Sequence, residues 1–213
     1  GGSGDGVTTY TVTNGTGEAT IDGNTLTAVK GGTVTVVATK AEDTTYNSIS
    51  SSPVTINIEK IKISAPLADE TVYTYNGTEQ TYNLAENSAY TISGNKQTNA
   101  DETGYTVSVS INNTDTHSWE DGTIDAKNYT FIIKKANISI TAKNKSIYKG
   151  STVPTLTAND YTVSGLANGE SLKTAPTIEY SSTPNSNTEG TVEIKVYGAE
   201  APEGGNYNDI SYT

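Results

Sequence analysis

One kind of junction occurs twice in this chain, and it constrains the fold more than any other feature. Ile56-Asn-Ile-Glu-Lys-Ile-Lys-Ile63 and Phe131-Ile-Ile-Lys-Lys-Ala-Asn-Ile-Ser-Ile140 both carry alternating apolar and polar residues through a lysine, Lys60 in the first and Lys135 in the second. Alternation places every second side chain on one face of a strand, so each stretch reads as two strands in series with almost no linker. The lysines stand about 75 residues apart, a spacing that suits a small β module better than an enzyme domain. The 213 residues are therefore expected to form three tandem modules: a partial one over 1–59, a second over 60–135 and a third over 136–213. The expected fold is all-β, three small immunoglobulin-like or related sandwiches in an elongated array, with at most one short helical turn.

Composition agrees. Apolar residues make up 33% of the chain, which suits thin sandwiches with small cores. Thr, Val, Ile and Tyr dominate the candidate strands, and such side chains fit a pleated, half-buried surface. No stretch of a dozen residues repeats its apolar positions at helical spacing. The net charge is −11 and every cationic side chain except the single histidine is lysine, so nucleic acid is not an expected partner, since phosphate binding needs clustered cations and bidentate readout needs arginine. No apolar run is long enough to span a bilayer, and no membrane insertion is expected. Cysteine is absent, so no disulfide supports the fold.

Within the first module, Gly1-Gly-Ser-Gly-Asp-Gly6 reads as a flexible leader. Strands are expected at Tyr10–Thr13, Ala19–Ile21, Leu26–Val29, Thr33–Thr39 and Val54–Ile58, with tight hairpins at Asn14-Gly15 and Asp22-Gly23. In the second they fall at Val72–Tyr75, Gln80–Leu84, Tyr90–Ser93, Tyr105–Ile111 and Tyr129–Ile133, with Val107, Val109 and Ile111 on one face. In the third they fall at Ile138–Ala142, Tyr161–Ser164, Thr177–Tyr180 and Thr191–Tyr197, and Leu166–Leu172 is the expected helical turn. Tyr46-Asn-Ser-Ile-Ser50 and Tyr207-Asn-Asp-Ile-Ser211 are alike, and only the former is followed by a further strand. The third module is thus expected to lack its last strand and the chain to be part of a longer array, normally monomeric but with sheet edges that allow edge-strand dimers.

These stretches carry a resemblance. Ala19-Thr-Ile-Asp-Gly-Asn-Thr-Leu-Thr-Ala-Val-Lys-Gly-Gly-Thr-Val-Thr-Val-Val-Ala-Thr39 resembles the second half of bacterial immunoglobulin-like group 2 domains. Tyr75-Asn-Gly-Thr-Glu-Gln80, Gly94-Asn-Lys96, Asp121-Gly-Thr123 and Tyr129-Thr-Phe-Ile-Ile-Lys-Lys-Ala136 are similar to repeats of large Gram-positive surface proteins, with the usual turn stretched to Ala100-Asp-Glu-Thr-Gly-Tyr105. Ile140-Thr-Ala-Lys143, Tyr148-Lys-Gly150, Pro154, Val163-Ser-Gly-Leu166 and Asn206-Tyr207 are similar to the MBG-type repeats of bacterial adhesins, with Ser151-Thr152 where an aspartate or asparagine is usual. The resemblance implies an extracellular segment, attached to a bacterial cell wall, that spaces or performs adhesion. Its partner in the adhesive case would be a host glycan, a mucin or a surface protein. An accessory region of a polysaccharide-active enzyme is the further alternative.

Chemistry is sparsely supplied, and the expectation is a non-enzyme without cofactor. His117 is the single histidine, its neighbour Ser118 points the other way on a strand, and no Gly-x-Ser-x-Gly elbow is present. A solvent-exposed loop histidine is the expected state of His117. Nothing holds two carboxylates at glycosidase spacing, and metal ligands of the His/Cys type are wanting. Asp69-Glu70 and Glu120-Asp121-Gly122 are the places where a loose calcium site could form. Trp119, with Asp121 beside it, is the candidate ligand site, because an indole face stacks on pyranose C–H groups. The competing reading makes Trp119 a core anchor. Lys134 and Lys135 near a terminal strand are the candidates for an isopeptide crosslink, against ordinary exposed lysines.

Overall fold

The computed structural model describes residues 4–213, and the fold is all-β. The start of the expected leader, residues 1–3, lies outside the described residues. Asp5, within that stretch, is tied down: its N–H donates to Asp43 Oδ2 at 2.8 Å.

Six strands occupy the first part of the chain: β1 (Thr8–Asn14), β2 (Glu18–Asp22), β3 (Thr25–Lys30), β4 (Gly32–Lys40), β5 (Ile49–Ser50) and β6 (Val54–Ile58). β4 is the centre of one sheet and pairs antiparallel with β1, β5 and β6, while β2 and β3 form a separate hairpin. The hairpin between β2 and β3 forms as expected, but its two turn residues are Gly23, at φ 58°, and Asn24, one position later than Asp22-Gly23. Asn14-Gly15 is a correction. A type I′ turn needs positive φ at both central residues, and neither Asn14 nor Gly15 has it. β1 instead leaves its sheet here: Asn14 Oδ1 accepts the N–H of Ala19, and the N–H groups of Gly15 and Gly17 both donate to the Thr33 carbonyl. Val34 is the buried residue of β4.

The middle stretch holds β7 (Ile61–Ile63), β8 (Tyr73–Thr74), β9 (Gln80–Thr81), β10 (Tyr90–Ser93), β11 (Lys96–Gln97), β12 (Asp101–Ile111), β13 (His117–Trp119) and β14 (Lys127–Lys134). One sheet has the order β10-β12-β14-β8, with β8 parallel to β14, and β7 pairs in parallel with β13. Val107, Val109 and Ile111 are all buried, as alternation along β12 requires. The stretched turn at Ala100–Tyr105 is mostly strand, bent where Asp101 Oδ1 accepts the N–H groups of Thr103 and Gly104.

The last stretch holds β15 (Ser139–Ala142), β16 (Tyr161–Ser164), β17 (Thr177–Tyr180), β18 (Ile194–Tyr197) and β19 (Ser211–Tyr212). β15 lies between antiparallel β16 and parallel β19, and β17 pairs antiparallel with β18. The one helical turn among the described residues is a 3₁₀ turn at Ala158–Asp160, not at Leu166–Leu172. The reason is a capping box: Thr157 Oγ1 accepts from Asn159, and Asp160 Oδ2 accepts the Thr157 N–H at 2.7 Å.

The chain packs as two compact units. One takes the described residues up to Leu67, with Leu84–Ile92 and Ser108–Asn128; the other takes Ala68–Asn83, Ser93–Val107 and Tyr129–Thr213. Lys60 therefore lies inside the first unit and Lys135 inside the second. In the second unit the core centres on Phe131, ringed by Tyr73 at 4.9 Å, Tyr82 at 5.5 Å and Tyr105 at 6.3 Å between centroids. Edge-on and tilted contacts of this kind add to the area they bury.

Candidate functional site

Trp119 is packed, not presented. Its ring is 1% exposed, Tyr90 lies against it at 5.9 Å, and Nε1 donates to the Asp125 carbonyl at 2.7 Å. No ring face remains open for a sugar, which corrects the stacking role considered for Trp119. Asp121 is exposed and does local work: Oδ2 meets Lys127 Nζ at 2.6 Å, and Oδ1 accepts the N–H and hydroxyl of Thr123. Lys127 and Thr123 hold its carboxyl well below the usual carboxylate range. The two residues thus serve one turn between β13 and β14 and do not converge on a shared ligand.

His117 is on a strand and half-buried, a correction to its expected place in an exposed loop. β13 is only three residues long and is held by parallel β7, a partner about 55 residues away that leaves no local signature. Its Nδ1 is 2.8 Å from Thr116 Oγ1, and Ser118 is buried on the other face. Asp69, at the other place considered for calcium, is a loop staple. Burial alone would raise its pKa, but Thr71, Tyr73 and Asn83 all donate to it and hold it well below the usual range. Among the described residues no group of three or more His, Cys, Asp or Glu side chains could hold a metal ion. No helix of the described chain is long and apolar enough to cross a membrane.

Polar contacts also gather at the two lysine junctions. At the first, β6 ends at Ile58 and β7 begins at Ile61, so two residues separate a strand paired antiparallel with β4 from one paired in parallel with β13. Lys60 Nζ donates to the Thr114 carbonyl at 2.6 Å. The Ile61 N–H donates to Thr116 and the Gly31 N–H to Asp115, both at 2.8 Å. Asn113 Oδ1 holds the shape of that loop by accepting from Asp115 and Thr116. Gly31 is required by space: a Cβ there would stand 2.5 Å from Lys60 Cγ. An ion pair between Lys30 and Asp115, 3.2 Å and well exposed, closes the rim.

At the second junction β14 ends at Lys134 and β15 begins at Ser139. Between them Ala136 bridges Tyr207 in parallel, its N–H donating to the Asn206 carbonyl and its carbonyl accepting from Asn208. Lys134 is exposed and Lys135 half-buried. Around them Tyr75, Ala136, Ile138, Ala167, Asn206 and Tyr207 are all buried. Both tyrosine hydroxyls donate to one carboxylate, Tyr75 to Glu170 Oε1 at 2.5 Å and Tyr207 to Oε2. The rings meet edge to face at 5.4 Å, and Tyr207 Oη also accepts the Ala167 N–H. Asn206 Oδ1 accepts the Ala100 N–H, and Nδ2 donates to Asn99. The hydrogen bond to Glu170, with burial, pushes the Tyr75 hydroxyl up to about 12. Tyr207 is raised by burial first and by Glu170 second.

This second cluster was not foreseen. Its members are far apart in sequence, Tyr75 and Glu170 by 95 residues, and evenly spread tyrosines look like ordinary packing. What the arrangement does chemically is hold: donors and acceptors are matched, and among the described residues no buried side-chain N or O lacks a partner.

Residues 138–213 match the family model of the MBG domain (YGX type). No curated protein and no solved structure matches the chain at a significant level.

Proposed function

We propose that this chain is a non-catalytic structural segment of a bacterial cell-surface protein, three tandem β modules that hold a more distal part of the molecule at reach. The observation that carries this reading is the construction of the junctions. Each has only two to four residues between ladders, and each is packed inside one compact unit instead of being left as a linker. A flexible tether would place Gly- or Ser-rich, solvated chain at these points. The match of residues 138–213 to the MBG domain adds support, because that domain is found in surface-associated repeat proteins. The immunoglobulin-like character of residues 1–59 and the repeat character of 60–135 belong to the same proposal, as does an extracellular, wall-attached setting.

Small-angle scattering tests it. The expected result is an elongated particle whose maximum dimension is unchanged across salt concentrations. A compact particle, or one whose length distribution broadens like that of beads on a tether, would refute the spacer. The adhesive reading is the second, favoured by exposed apolar side chains such as Tyr148, which is 88% exposed. Binding to immobilised mucin or a glycan array, absent after Tyr148→Ala, would favour it over the spacer.

A further inference from the structure

The first and third stretches of the chain share more than their tyrosine motif. Gly190-Thr-Val-Glu-Ile-Lys-Val-Tyr197 lines up with Gly32-Thr-Val-Thr-Val-Val-Ala-Thr39 without a gap. The strand pairing follows the same alignment. β17 meets β18 through Thr177↔Tyr197, Ile178↔Val196, Glu179↔Lys195 and Tyr180↔Ile194. β1 meets β4 through Thr9↔Thr39, Tyr10↔Ala38, Thr11↔Val37 and Val12↔Val36, the same four positions of the aligned strand, also antiparallel.

One partner has no counterpart. In the first stretch β6 lies along the other side of β4, pairing Ile58 with Gly32, Ile56 with Val34 and Val54 with Val36. The matching residues, Gly190 to Glu193, belong to no strand. Glu193 gives its carbonyl to the Ser181 N–H on the β17 side. Strand alternation carried back from Glu193 turns the N–H and C=O of Val192 and Gly190 away from β17. Among the described residues they have no hydrogen-bond partner. They face a groove of about 1090 Å³ whose wall includes Lys145, Ile147, Tyr148, Val153, Val192 and Ile194. β19 does not fill the place, since it pairs with β15.

We infer that this groove is a strand-acceptor site, taking an extended peptide antiparallel to Gly190–Ile194. The occupant is a segment with branched apolar residues at alternate positions, the chemistry of Val54-Thr-Ile-Asn-Ile58. Main-chain hydrogen bonds to Val192 and Gly190 supply affinity, and the alternate side chains supply register. The site stands apart from the spacer proposal, and either can fail without the other.

The test uses the whole protein and a fluorescent peptide of residues 53–60, Pro53-Val-Thr-Ile-Asn-Ile-Glu-Lys60. Two modified peptides carry one N-methyl group each, on the residue equivalent to Ile56 or on that equivalent to Thr55. Ile56 faces Val34 across a hydrogen-bonded pair, so its equivalent needs its N–H and the Thr55 equivalent does not. The expected result is saturable binding that falls about tenfold or more for the Ile56 methyl and by less than about twofold for the Thr55 methyl. Amide exchange measured by NMR slows at Val192 on peptide addition and does not slow at Thr191. Equal binding of all three peptides, or unchanged exchange at Val192 under saturation, would overturn the site. Protection of Val192 that grows with protein concentration in the absence of peptide would overturn the stated occupant, by showing that a second copy fills the groove.

Discussion

The two lysine junctions solve the same problem with different chemistry. Around Lys60 the chain turns from one sheet to another through backbone hydrogen bonds, a lysine reaching a carbonyl and an exposed ion pair. Around Lys135 it turns over a half-buried carboxylate gripped by two buried tyrosines, with Asn206 bonded on both sides. A hydrogen bond among solvated groups exchanges with water and contributes about 1 kcal/mol, while a charged acceptor inside the protein is costly to lose. The first junction is therefore built from many small, replaceable contacts. The second depends on a few that are not replaceable.

That difference can be measured. Glu170→Ala should have the largest effect, about 3 kcal/mol off the stability of the second unit in urea, because it leaves the hydroxyls of Tyr75 and Tyr207 buried without their acceptor. Glu170→Gln, which keeps one acceptor oxygen, should recover roughly half. If both variants match the parent, the carboxylate clamp is ornamental and the contrast between junctions disappears.

Alkaline pH comes next. Tyr75 ionises near 10 when unfolded and at about 12 when folded, so the unfolded chain gives up its proton first as pH rises. Its contribution is fully present below pH 10 and is lost as pH climbs from about 10 to 12. Tyr207 moves in the same direction. The expected signature is a drop in urea midpoint for the second unit across that window, coincident with tyrosinate absorbance. Glu170→Ala should flatten it.

Gly77→Ala should cost about 1–2 kcal/mol, because Gly77 sits at φ 75° and a Cβ would stand 3.2 Å from that of Ala167. Thermal unfolding of that variant should show the loss in the second unit. Lys60→Met is expected to cost about 1 kcal/mol or less, since its stem still packs on Gly31 and only the bond to Thr114 goes. Lys30→Ala, which removes only the exposed pair with Asp115, should fall within about 0.5 kcal/mol of the parent at any salt concentration. A larger loss from Lys30→Ala than from Glu170→Ala would reverse the ranking of the two junctions.

Much of the fold could be read from residue order. Tyr161–Ser164 and Thr177–Tyr180 appear at their expected bounds, because each is a short alternating run closed by turn residues. β5, β11, β13 and β19 were not expected. Each is two or three residues long and is fixed by its partner, which for β13 and β19 is distant in sequence, and no local pattern marks such a strand. The Asn14-Gly15 pair shows the opposite error: a strong local turn signal that tertiary pairing overrode, since β1 pairs with β4 and β2 with β3. Trp119 and Asp121 were picked out by residue type, and residue type alone does not distinguish an indole that stacks on a ligand from one that packs on Tyr90.

From the sequence alone came the β class, the alternation that buries Val107, Val109 and Ile111, and the shortness of the connections at Lys60 and Lys135. These are local properties, written in the period of side chains along a strand. Only the tertiary structure decided which strands became neighbours, that Glu170 would meet Tyr75 and Tyr207, and that Gly190–Glu193 would lie outside any strand beside a groove. Those outcomes rest on contacts between residues far apart in the chain, where pairing in space, not order in sequence, selects the partner.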